Sequence, residues 1–110
     1  MGTTVTLLQK TTSVVGTAQQ VTATETPCSA VIVQPKSTNG IVVYFGDSTV
    51  TASTGIRLGI PATTGTPVPL YIQSGSGLND LNLADMYIII DSTPAVATGA
   101  AGINLLYMVR

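Results

Sequence analysis

The chain has 110 residues, 45% of them hydrophobic and only 8% charged, with a formal net charge of −1. That length suits one domain with a modest core. It contains no His, so an imidazole base, a His-based triad and a His zinc site are excluded, and its four basic residues, Lys10, Lys36, Arg57 and Arg110, are too scattered to neutralise a phosphate backbone.

Cys28 is the only cysteine, so no internal disulfide forms. Between Pro27 and Ser29 at a strand start, it reads as a small buried residue. No apolar stretch approaches the roughly 20 residues of a membrane helix. The segment MGTTVTLLQKTT lacks a basic region followed by a long apolar run, so synthesis and use without a secretory route are expected.

Gly, Pro and Thr punctuate the chain, and Val, Ile, Tyr and Thr fill the intervals, which is strand chemistry. Residues 1–18 are expected to be an extended N-terminal arm or a first strand, with residues 19–110 forming one β-sandwich domain. Strands are predicted over 4–8, 19–24, 28–34, 41–45, 56–60, 68–73, 86–91 and 103–109. The 35–40 connection carries Asn39–Gly40, a pair suited to a turn with positive φ. Residues 74–77 (SGSG) read as a loop, and 98–102 (TGAAG) lead into the last strand. LNDLNLAD, residues 78–85, is the one helical possibility, a single turn capped by Asn79 or Asp80. The fold class is therefore all-β, a small antiparallel β-sandwich or barrel of about seven or eight strands.

Alternation separates two kinds of strand. Val5 and Leu7 oppose Thr4 and Thr6; Val21 and Ala23 oppose Gln20, Thr22 and Thr24; Ile56, Leu58 and Ile60 oppose Arg57 and Gly59. These strands read as half-buried, one face on the core and one in water. The strands at 28–34, 41–45, 86–91 and 103–109 are apolar on both faces. A two-layer domain supplies one core face per strand, so the second face needs a loop, the N-terminal segment or another subunit. Each large side chain so covered contributes roughly 1.5–3 kcal/mol, and another subunit is the expected cover.

Thr occupies 18 positions. Its branched Cβ suits strands, and a partnered hydroxyl is far cheaper to bury than an unpaired charge. A surface so poor in Lys and Glu is easily pressed against another protein.

Specific chemistry is not legible. Asp47, Asp80, Asp85 and Asp91 are the only candidates for acid/base or cation work, and turn and cap roles account for all four. Tyr44, Tyr71, Tyr87 and Tyr107 suit a sugar-binding face less well than a core or an interface. Ser and Thr lack a base to activate them, and SGSG lacks the Lys and the strand–loop–helix context of a phosphate loop. No catalytic, cofactor or metal residue is assigned.

The order VTATETPCSAVIVQPKSTNGIVVYFGDSTVTASTGIRLGIP, then VPLYI, DLNLADMYIII and INLLYMV, resembles small β-sandwich structural proteins of tailed bacteriophages. A strand ending in TPC, a V-x-V hairpin and a Y-x-G-D-S-x-V turn carry the resemblance, over roughly residues 20 to 109. It departs at Ile60-Pro61-Ala62, where the pattern has Pro-Gly and this chain has a longer Thr-rich insert. The resemblance implies a non-enzymatic capsid decoration (cement) protein on the capsid exterior of a virion, made in the host cytoplasm. It would bind the major capsid protein as a homo-oligomer, expected as a trimer, with no nucleic acid, membrane or cofactor involved. Tail, fibre or head–tail placement and a carbohydrate-binding module are the alternatives. The expected subunit and capsid contacts are Thr4, Val5, Thr6, Leu7, Val42, Tyr44, Arg57, Tyr87 and Ile89, the first four from an arm that adds a strand to a neighbour.

Overall fold

Branched and hydroxyl-bearing residues dominate the runs between turns, and those runs become strands. The structure, a computed structural model, describes residues 3–12, 16–35, 43–51, 53–58, 69–90 and 101–110. Among them lie β1 (Thr4–Thr12), β2 (Gln19–Gln20), β3 (Pro27–Cys28), β4 (Ala30–Pro35), β5 (Val43–Gly46), β6 (Ile56–Leu58), β7 (Leu70–Gln73), β8 (Leu81–Asn82), β9 (Tyr87–Ile90) and β10 (Ala101–Val109). The one helical element among the described residues is a 3-10 turn, Leu83–Asp85.

A first sheet has the order β1-β10-β4-β7, a second β2-β9-β5-β6, and β3 and β8 form a small third pair. Every pairing is antiparallel. Neither four-stranded sheet closes on itself among the described residues, so the architecture is sandwich-like and not a barrel. Val31, Val33, Ile103 and Leu105 from the first sheet meet Val43, Phe45, Leu58, Ile88 and Ile90 from the second in one buried core. Each such side chain contributes roughly 1.5–3 kcal/mol by leaving water. Cys28 is fully buried in the same cluster.

The long first strand is held inside the chain. Thr4 through Thr12 pair with Val109 back through Ala101 of β10, so this segment forms the edge strand of the chain's own sheet. Its facing differs from the expected one. Leu8 packs against the core, whereas Val5 and Leu7 are 55% and 78% exposed. Leu8 lies opposite Leu105, so the single Leu8–Leu105 contact orients the strand.

Other elements differ from the expected ones. The 19–24 strand stops at Gln20: Val21 N–H still donates to Met86 O at 2.9 Å, but Thr24 N–H turns back to Thr22 Oγ1 at 3.2 Å. The 56–60 strand buries Leu58 but leaves Ile56 54% exposed on the edge strand β6. The helical turn falls at the end of 78–85, capped by Asn82, whose Oδ1 accepts from Ala84 N–H at 3.0 Å. Asn79 is otherwise engaged: it donates to Arg110 O and accepts from Arg110 N–H, both at 3.0 Å. Residues 36–42, 59–68 and 91–100, with the expected 35–40 turn, Ile41, Val42 and Asp91, lie wholly or largely outside the described residues.

Candidate functional site

Strands β4 and β10 are apolar on both faces, and the sheet order puts them side by side. Their inward faces fill the core. Their outward faces, extended by β1 and β7, form a surface whose composition follows from the register. Leu7 lies opposite Leu106, Leu106 opposite Ile32, and Ile32 opposite Tyr71, a row of four large side chains across the whole sheet. Beside it run Val5, Met108, Ala30 and Gln73 on one flank and Gln9, Asn104 and Gln34 on the other.

Leu7 and Tyr71, at the two ends of the apolar row, are 78% and 55% exposed; Leu106 and Ile32, between them, are half-buried by their own neighbours. On the polar flank, Gln9 Nε2 donates to Asn104 Oδ1 at 2.8 Å. No strand residue on this face is charged among those described. One charge borders it: Arg110, after the end of β10, lines a depression with Ala30, Tyr71, Gln73 and Met108 of this face. Two adjoining open depressions lie along the row, lined by Leu7, Leu8, Ile32, Gln34, Asn104 and Leu106.

The expected contact residues are divided among three places. Val5 and Leu7 lie on this outward face. Thr4 and Thr6 share the opposite side of β1 with Leu8. Tyr44, Arg57 and Ile89 form a row on the outward side of the second sheet, Tyr44 opposite both Arg57 and Ile89, with Tyr87 opposite Gly46. There Ile89 is only 7% exposed, so that side of β9 is already dry. Val42 lies outside the described residues. Sequence reasoning named Tyr71 as a core or interface residue but did not single out Ile32, Leu106 or Met108. The signal was the two-sided apolar character of 28–34 and 103–109; the pairing that aligns them with Leu7 joins segments far apart in the chain.

Two of the aspartates that invited chemistry, Asp47 and Asp80, serve turns. Asp47 Oδ1 accepts from Thr49 N–H at 2.9 Å and from Thr49 Oγ1 at 2.6 Å, and these bonds hold its carboxyl below the ordinary value. Val50 N–H closes the same turn onto Asp47 O at 3.0 Å. A Cβ at Gly46 would lie 2.9 Å from Val50 Cγ2, so glycine there lets buried Val50 fold back. The Y-x-G-D-S-x-V signature is thus a packing device. Asp80 accepts from the Ser76 hydroxyl within the 74–77 loop. Among the described residues no group of three or more His, Cys, Asp or Glu is placed to hold a metal.

The molecule is therefore a small all-β, sandwich-like protein whose most distinctive surface is an uncharged apolar sheet face. No family model, no curated protein and no solved structure matches the chain.

Proposed function

We propose that this chain is a non-enzymatic structural component of a virion, a capsid decoration protein that seats on the assembled shell of major capsid protein and stabilises it. The reading is supported above all by the uncharged outward face of the first sheet, with Leu7, Leu106, Ile32 and Tyr71 in one row. Such a face adds contact area without desolvating charge. The virion setting and the trimeric order come from the resemblance in the strand and turn signatures. A protein that binds the closed shell and not its free subunits raises shell stability by mass action, and shell symmetry imposes symmetry on what binds it.

The test adds purified protein to shells that lack it, then images them and measures the temperature at which they rupture. Ordered density on the shell surface with a raised rupture temperature is the expected result, lost with Leu7→Lys. Bare shells overturn the reading, and density confined to the tail or neck replaces it with the tail-component reading.

A further inference from the structure

We propose that the outward face of the first sheet is a contact between two copies of this chain, packed face to face about a two-fold axis. The proposal rests on the reading of this face as a docking surface and names what covers it in solution, before any shell is met. Three properties of the face favour a second copy.

The first is electrostatic. A two-fold contact sets each patch against itself, so any charge on it would meet its own like. The strand residues of this face carry none among those described, and the one charge beside it, Arg110, stands at its rim past the end of β10, next to Met108 and Gln73 and away from Leu7 and Leu106. The second is the chemistry of its polar flank. Gln9, Asn104 and Gln34, which form it, are all primary amides. An amide is both donor and acceptor, so a row of amides complements a copy of itself, whereas a carboxylate or ammonium row requires a different partner.

The third is size. Four strands at about 4.8 Å spacing span roughly 19 Å, and the shared strand length adds about 17–30 Å in the other direction. The flat footprint is therefore on the order of 400 Å² per copy. Side-chain relief enlarges it, and two copies together bury on the order of 1,000 Å², the lower bound for a specific interface. A reversible dimer follows, with an apolar centre and a polar rim.

The free edge of β1 is a poorer route to the same end. Lys10 lies on the inward side of that edge strand, half-buried opposite Ile103, and an inward-pointing charge is a known block to edge-to-edge pairing. A two-fold face contact also gives a dimer, where the resemblance implied a trimer.

The test is the solution mass of the full chain across micromolar concentrations by light scattering and sedimentation equilibrium. The expected mass rises with concentration to twice the 11.2 kDa of one chain. Leu7→Lys and Tyr71→Lys, each at a site more than half exposed, are expected to weaken self-association at least tenfold while the far-ultraviolet spectrum stays unchanged. Leu78→Lys, at a residue 64% exposed but outside the four strands, is expected to leave the dimer intact. A monomer at every concentration, a trimer, or a dimer indifferent to Leu7→Lys and Tyr71→Lys each overturns the proposal. A monomer that still binds shells in a Leu7-dependent way assigns the face to the shell, sinking the dimer and sparing the docking reading.

Discussion

Leu7 and Leu8 are neighbours in the chain with opposite surroundings. Leu7 lies across from Leu106 on the outward face and is 78% exposed, whereas Leu8 lies across from Leu105, itself only 2% exposed, and packs against the core. The side-chain period of a strand is two, so this one step carries a leucine from solvent to interior. Edge strand β1 is thereby anchored from one side and leaves its other side free.

The two leucines should differ in the free chain. Leu8→Ala is expected to cost roughly 1–2 kcal/mol, below the values of fully buried leucines because Leu8 is half-buried. Leu7→Ala is expected to stay within about 0.5 kcal/mol of wild type, as exposed substitutions do. Urea unfolding at a concentration where the protein is monomeric separates them. Equal losses would mean that β1 is not held by its inward side.

Gly102 fixes the other end of the β1–β10 pairing. Its φ is 145°, and an added Cβ would lie 2.0 Å from Lys10 O, a backbone atom that cannot yield without moving β1. Gly102→Ala is expected to cost at least about 2 kcal/mol through strain and clash. Amide exchange at Lys10 and Thr11 is expected to quicken more than exchange in β5 and β9. A neutral substitution would contradict the close approach.

What was readable in the sequence follows from what is local. The existence of the longer strands was, because β-branched runs between Gly and Pro need no partner to be recognised, whereas the short β8 falls within the 78–85 stretch read as a helical turn. The facing of β1 was not, because Leu7–Leu8 offers an apolar residue to either side and the choice is made by Leu105, about a hundred residues away. The helical turn shows the same limit. Asn79, Asp80 and Asn82 are each suitable caps, but Asn79 is bonded to the Arg110 backbone and Asp80 to Ser76, leaving Asn82 to bond Ala84. Of the interaction face, Val5 and Leu7 were picked out from alternation. Ile32, Leu106 and Tyr71 join them only through sheet order, which alternation does not encode.

Asn82 joins two segments, 25–26 and 82–84. Its Oδ1 accepts from Thr26 N–H at 2.9 Å and from Ala84 N–H at 3.0 Å, and its side-chain amide donates to Glu25. Asn82→Ala is expected to cost about 1–2 kcal/mol, as loss of a cap does. Asn82→Asp retains both backbone acceptances but places a second carboxylate beside Glu25. It is expected to be less stable than wild type at neutral pH, and equal stability of the two in urea unfolding would contradict the Glu25 contact.

Burial pushes the Cys28 thiol above its ordinary value of 9.0. A raised folded-state value means that the folded chain keeps its proton after the unfolded chain has lost it. The contribution is complete below the unfolded value and declines as pH rises from there toward the folded one. Wild type is therefore expected to lose stability more steeply than Cys28→Ala above about pH 9. Thiol-directed alkylation at neutral pH is expected to proceed only through unfolding, with a rate that rises with urea. Rapid alkylation of the native chain would contradict the buried placement.

Ionic strength distinguishes an apolar contact from a charged one. Between about 0.05 and 0.5 M NaCl the Debye length falls from roughly 14 to 4 Å, enough to silence most attraction between exposed charges. The outward face of the first sheet has no charged strand residue among those described, so association through it should change little over that range. Sulfate should strengthen it, since excluded salts favour apolar burial. Sedimentation of the free chain and shell binding are measured in parallel across both salts. If either association falls steeply with NaCl, the charged residues at the rim of this face or beyond it, among them Arg110, Arg57 and Asp47, must carry it, and the apolar row is left without a role in that contact.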